Sequence, residues 1–187
     1  MYKRQTLFWR HAVTTGVLAQ SLSAHCDTLH TDRLFVAGML HDLGRLVLYL
    51  TLPDRCKDVL YVTGGDEWIL ANTENELIGF NHTEVGAELF KSWELPQGLQ
   101  TVARFHHQPG QAKDHEHDVA IVHIALAVAR GHLVGFEMQE MLWAIDPAAW
   151  SITGLTPDDL APLLPEMLQK ADDAIAMFTI ESGRKTA

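Results

Sequence analysis

The stretch VAGMLHDLGRLVLYL, Val36 to Leu50, places a histidine and an aspartate side by side inside an apolar helical pattern. Leu40, Leu43, Leu46, Val47 and Leu50 recur at the three-and-four spacing of a buried helix face, so His41 and Asp42 border the core. An unpaired charge there costs several kcal/mol or is neutralised by a proton, so the two residues require a partner. The spacing predicts one helix that starts at a cap on Thr31 or Asp32, runs through this stretch and stops near Pro53.

Outward from that stretch the same periodicity continues. Leu7, Phe8, Val13, Val17, Leu18 and Leu22 predict an amphipathic helix over 7–24. A shorter helix is expected over Asp54 to Val62, broken by Gly64-Gly65, and another begins at Asp66 and carries Trp68, Ile69, Leu77 and Ile78. NHTEVGAELFKSW starts with Asn81 as a cap and Glu84 three residues on, the capping-box pattern, and its helix ends before Pro96. Pro96 to His107 predicts a short helix, Gln108 to Glu116 a polar loop, and Asp118 to Arg130, apolar on most faces, a central helix. Beyond Gly131 four prolines separate short pieces; Thr156 caps one that has Pro157 in its first turn, and Leu163 to Phe178 forms the last helix. No alternating strand-type segment occurs, so the fold class is all-α, a helical bundle with short loops. Leu40, Leu43, Val47, Val85, Leu89, Trp93, Ile121 and Ile124 are expected to share its core.

The 187 residues are 47% hydrophobic and 20% charged, enough for one substantial core. The formal net charge of −10, with no basic run, argues against a nucleic-acid backbone as ligand. No apolar run approaches the roughly eighteen residues of a membrane span, and the start lacks the pattern of a signal peptide, so the expectation is a cytoplasmic protein without a membrane partner. Cys26 and Cys56 read as reduced thiols, since they show no metal-ligand spacing with each other. MYKRQ reads as a non-native or disordered start over 1–5. Residues 6–130 then form the helical core, with 131–187 as C-terminal helices packed on the same domain.

Eleven histidines are present, and their positions matter more than their number. His11, His41, His82, His106 and His107, with Asp42, interrupt apolar helical faces in separate segments. Each histidine alone has an ordinary explanation, a carbonyl partner or a helix end; together they suggest a metal site built between facing helices. Imidazole with one carboxylate suits iron, manganese, zinc or nickel rather than calcium. His25, His30, His115, His117 and His132 lie in polar surroundings and read as surface residues.

In order and spacing, WRHAV, GMLHDLGRLVL, GFNHTEVGAELFKSWELP and ARFHHQP resemble the HD superfamily, specifically its HDOD branch. The resemblance covers Leu7 to Arg130 in detail and WSITGL with the following helix more loosely. It implies an HD-type helical bundle that acts as a bacterial signalling output or interaction module, with signalling proteins or fused regulatory domains as partners. Relatives of this kind carry a further helical bundle before the segment matching FWRHAV, so the chain is expected to be an N-terminally truncated fragment.

The active relatives, including the HD-GYP cyclic di-GMP phosphodiesterases, are metal-dependent phosphohydrolases. The resemblance places His11, His41, Asp42, His82, His106 and His107 on their metal positions. Arg45 falls where those enzymes have a lysine that holds phosphate, which implies a nucleotide or phosphate ligand. Two departures weaken the enzymatic reading. Leu126 aligns with the aspartate that closes the metal shell, with His123 one turn earlier as a substitute or facing elsewhere, and QPGQAKDHEHD lacks the GYP signature. The expectation is therefore a signalling module with a partial metal site, the alternative a phosphohydrolase acting on a phosphate ester or cyclic dinucleotide.

Overall fold

The computed structural model describes residues 2–26, 31–64, 66–67 and 69–183, with the backbone alone for 2–5 and 178–183. Met1, His30, Gly65 and Trp68, which carried sequence expectations, lie outside the described residues. In chain order the helices are α1 (Tyr2–Ser23), α2 (Thr31–Leu40), α3 (Leu43–Thr51), α4 (Pro53–Thr63), α5 (Leu70–Ile78), α6 (His82–Ser92) and α7 (Gln97–Phe105). A 3-10 turn at Pro109–Gln111 leads into α8 (Glu116–Val134), followed by α9 (Met138–Trp143), α10 (Pro147–Thr153), α11 (Pro157–Leu160) and α12 (Leu164–Gly183). No strand occurs among the described residues, so the fold is all-α.

α8 is the spine. Val119 to Ala129 are all buried, because α1, α2, α7, α9 and α10 pack around this helix. Ile121 and Ile124 are fully enclosed, and Leu18, Leu34, Phe90, Leu160 and Leu164 join them in one apolar cluster that includes C-terminal residues. Leu40, Leu43 and Leu89 are half-buried against it, and Val47 and Val85, also expected in the core, are half-buried without joining the cluster. Trp93 is an exception to the expected core at 57% exposure, because it follows the last turn of α6 where the chain bends through Glu94 (φ 55°).

The helix expected to run unbroken through the opening stretch is two. α2 ends at Leu40, and α3 restarts at Leu43 with Asp42 at its N-cap. Two close crossings account for the bend. A Cβ on Gly38 would lie 2.8 Å from the Thr15 carbonyl oxygen, so α2 is pressed onto α1; one on Gly44 would run into the His82 carbonyl oxygen, so α3 is pressed onto α6. Packing on two different partners turns the chain at His41-Asp42.

Two capping signals are present as read, whereas Thr31 and Asp32, expected as caps, lie within the first turn of α2. Asn81 accepts from the Thr83 and Glu84 amides while Glu84 accepts from the Asn81 amide, and Thr156 and Asp159 cap α11 in the same reciprocal way. By length and composition Thr31–Thr51 and Glu116–Val134 are apolar enough to cross a membrane, which corrects the expectation that no run approaches that length. The first is bent at His41-Asp42, and the second is the buried spine.

Candidate metal centre

The two tight crossings converge on one pocket. His11 comes from α1, His41 and Asp42 from the α2–α3 bend, His82 from the first residue of α6, and His106-His107 from the end of α7. Ring centroids lie 5.4 Å apart for His11 and His41, 4.9 Å for His41 and His106, 5.6 Å for His82 and His106, and 4.3 Å for His106 and His107. All six residues that interrupted the apolar pattern are thus neighbours. The α2–α3 bend matters here, because on a continuous helix His41 and Asp42 would diverge by about 100°.

The outer nitrogens of three rings are tied off. His41 Nδ1 donates to the Gly38 carbonyl at 2.6 Å, and His106 Nδ1 to those of Ala103 at 3.0 Å and Val102 at 3.2 Å. His82 Nδ1 donates to Glu74 Oε2 at 2.6 Å, which leaves His82 Nε2 to accept from His107 Nε2 at 3.1 Å. Donor nitrogens of His82, His106 and His107 all fall within 4.8 Å of one another. His106 Nε2 and Asp42 Oδ1 are buried without a hydrogen-bond partner, and Asp42 Oδ1 stands 3.7 Å from His82 Nε2. Orphaned buried atoms cost about 1–3 kcal/mol each, and a divalent cation bound by imidazole and carboxylate would satisfy both. The residues present fit such an ion.

Burial sets the electrostatics. Desolvation, reinforced by neighbouring His41, pushes His11 down to about 4. His41 is lowered by burial against an opposing pull from Asp42. Burial and the adjoining rings hold His106 and His107 well below the ordinary imidazole range. Imidazoles kept neutral are in the form a metal requires. Burial alone would raise Asp42, but Arg45 and then His82, His41 and His11 outweigh it and keep the carboxyl below its usual range. Arg45 lies 3.2 Å from Asp42 Oδ2 through Nε, and its Nη1 and Nη2 fork onto Glu67 at 3.0 and 2.5 Å. Both fork nitrogens therefore hold a carboxylate of the chain itself.

A cavity of about 290 Å³ opens beside the pocket between the start of α1 and the end of α8, lined by Leu7, Phe8, His11, Asp42, Arg45, Tyr49, Glu67 and Val134 among others. Leu126, 4% exposed, lines a narrow inner chamber with His11, His41, Asp42 and His107, so the aligned position does face the pocket with an apolar side chain. His123 does not substitute for a ligand. Its Nδ1 donates to the His106 carbonyl at 2.7 Å, and its Nε2 accepts from the Asp146 amide at 3.0 Å. His25 and His115 are exposed, and His117 and His132 partly so, with His132 beside Asp172 at 3.1 Å.

Two participants escaped the sequence reading. Glu67 sits between α4 and α5, where no periodicity marks it. Glu74 had a signal: Leu70, Glu74 and Ile78 share an i, i+4, i+8 stripe, the same kind of interruption that exposed His41.

An all-α bundle with an inward-facing cluster of histidines and one aspartate defines the class of protein. Residues 2–109 match the HDOD domain, and the chain belongs to that family. An uncharacterized protein of Treponema pallidum (strain Nichols) is 27% identical over 100 residues, 53% of this chain; the match spans only 20% of that protein's length. An HDOD domain protein of unknown function from Geobacter sulfurreducens shares the fold with a TM-score of 0.74 at 19% identity, covering 91% of this chain and 61% of its own. A candidate signal transduction protein from Marinobacter aquaeolei VT8 has a TM-score of 0.74 at 20% identity, covering 94% of this chain and 39% of its own.

Proposed function

We propose that this chain is a signal-transduction module of HDOD type whose pocket takes up a divalent transition metal without hydrolysing phosphate esters. The observation that carries the reading is the pair of buried, unpartnered atoms, Asp42 Oδ1 and His106 Nε2, beside imidazoles whose outer nitrogens are already committed. His41, Asp42, His82, His106 and His107 would hold the ion, with His11 at the cavity side. A bound ion supplies Lewis acidity and a hydroxide near neutral pH in relatives that hydrolyse phosphates. Here Leu126 offers no oxygen to a metal shell, and Arg45 is occupied by Glu67 and Asp42 rather than offered to a phosphate.

The ion's role is then conformational: it ties α1, the α2–α3 bend, α6 and the end of α7 together, and a cytoplasmic partner or fused regulatory domain reads the result. The cavity beside His11 favours one second reading, a phosphohydrolase on a phosphate ester or cyclic dinucleotide, since it gives a small ligand access to the pocket. The test loads the purified chain with zinc, nickel, manganese or iron and measures retained metal, then assays a generic phosphodiester and cyclic di-GMP. Retention that His106→Phe reduces, with no turnover, is the expected result. Metal-dependent turnover abolished by His41→Ala would overturn it in favour of the enzyme, and no retention of any ion would remove the metal.

A further inference from the structure

Glu74 places a carboxylate, 3% exposed, on the inner side of α5. A single oxygen, Oε2, accepts both the main-chain amide of His82 at 2.8 Å and its ring Nδ1 at 2.6 Å. The amide is one of the donors left free at the start of α6, where the Asn81 cap already serves Thr83 and Glu84. Glu74 therefore closes the helix start that the cap leaves open, and with the same atom fixes the tautomer and the plane of the ring.

His82 differs in this from the other rings of the pocket whose outer nitrogens have partners. His41 and His106 donate to main-chain carbonyls, which are neutral; His82 donates to a carboxylate. A carboxylate behind an imidazole raises the ring's basicity at the far nitrogen and makes it a stronger metal donor. The charge balance points the same way. Asp42, Glu67 and Glu74 bring three formal negative charges to the pocket and Arg45 one positive; Arg130, which also lines the inner chamber, is offset by Asp66 at 3.6 Å, and Leu126 brings no charge. The two negative charges left over match a divalent cation, and without Glu74 only one remains.

We propose that Glu74 is a positioning residue for metal binding, which locks His82 with Nε2 facing the pocket and supplies, from behind the ring, negative charge that Leu126 does not. This rests on the metal reading above. Glu74→Gln keeps the shape and both acceptor contacts but removes the charge. Cobalt(II) titration, followed by its visible absorption, is expected to show affinity 10- to 100-fold weaker in this variant, while the metal-free melting temperature changes little. Nitrogen-15 NMR of the metal-free wild-type chain should show His82 protonated at Nδ1. Cobalt affinity within twofold of wild type in Glu74→Gln overturns the proposal, as does an Nε2-protonated His82, or a lowered melting temperature with unchanged affinity, which would make Glu74 structural only. A wild-type chain that binds no cobalt overturns the metal reading and this proposal with it, whereas equal binding by wild type and variant overturns the role of Glu74 alone.

Discussion

His106 and His123 are both fully buried, both donate from Nδ1 to a main-chain carbonyl, and burial lowers the basicity of both. They part at Nε2. That of His123 accepts from the Asp146 amide and joins α8 to the start of α10; that of His106 has no partner and faces other imidazoles. A buried histidine is therefore no sign of a site by itself. The sign is a second nitrogen that the chain positions but does not satisfy, because such an atom is costly unless something else binds it.

Acid gives the largest effect and attacks both kinds of histidine alike. As pH falls below 6.5 the unfolded chain takes protons on imidazoles that the folded chain keeps neutral; His11, for one, does not titrate in the fold until about 4. The unfolded state thus binds more protons, and stability that is complete above pH 6.5 is lost progressively toward pH 4. His41, His106, His107 and His123 shift in the same direction, each adding up to about 1.4 kcal/mol per pH unit within its window. Urea midpoints of the metal-free chain between pH 7.5 and 5 should fall with a slope of more than one proton. A flat profile would show that these rings are not dry in solution.

Replacing each ring by phenylalanine separates the pair. His123→Phe strands the His106 carbonyl and the Asp146 amide, so it should cost about 2–4 kcal/mol. His106→Phe removes an orphaned nitrogen, and the lost bonds run to helix carbonyls, one of which already accepts the His106 amide at 3.0 Å. Its cost in the metal-free state should be smaller by at least about 1 kcal/mol, with metal retention falling instead. Equal costs in urea unfolding would erase the distinction between the two histidines.

The sequence made one side of this contrast legible. His41, Asp42 and His106-His107 stood out because each breaks an apolar spacing, and Asn81 with Glu84, or Thr156 with Pro157, marked helix starts by local chemistry alone. The α2–α3 bend was hidden, since Leu40 and Leu43 keep the helical period across it and the cause lies in Gly38 and Gly44 meeting two other helices. His123 was equally opaque, because its second partner is 23 residues away in a segment of short helices. Glu67 sits in a connection with no period to interrupt. What pattern reading recovers is the mismatch between a residue and its own helix; what it misses is the contact that resolves the mismatch.

The smallest expected effect, a change in metal affinity, comes from the residue one turn beyond His123. α8 presents His123 to main-chain partners and Leu126 to the inner chamber, so the spine gives the pocket a wall but no ligand. Leu126→Asp would place an oxygen beside His11, His41 and His107. In the metal-free chain that carboxyl is buried where an apolar side chain packed, which should destabilise the fold by about 2–5 kcal/mol, with its own pKa raised by desolvation. Bound metal would offset part of the penalty, since the ion gains a ligand and one compensating charge. Affinity should rise about tenfold, equivalent to about 1.4 kcal/mol. Manganese should gain more than zinc, because the harder cation depends more on oxygen donors. Equilibrium dialysis of wild type and variant against both ions reads the difference, and unchanged manganese affinity would mean that α8 does not face the ion at all.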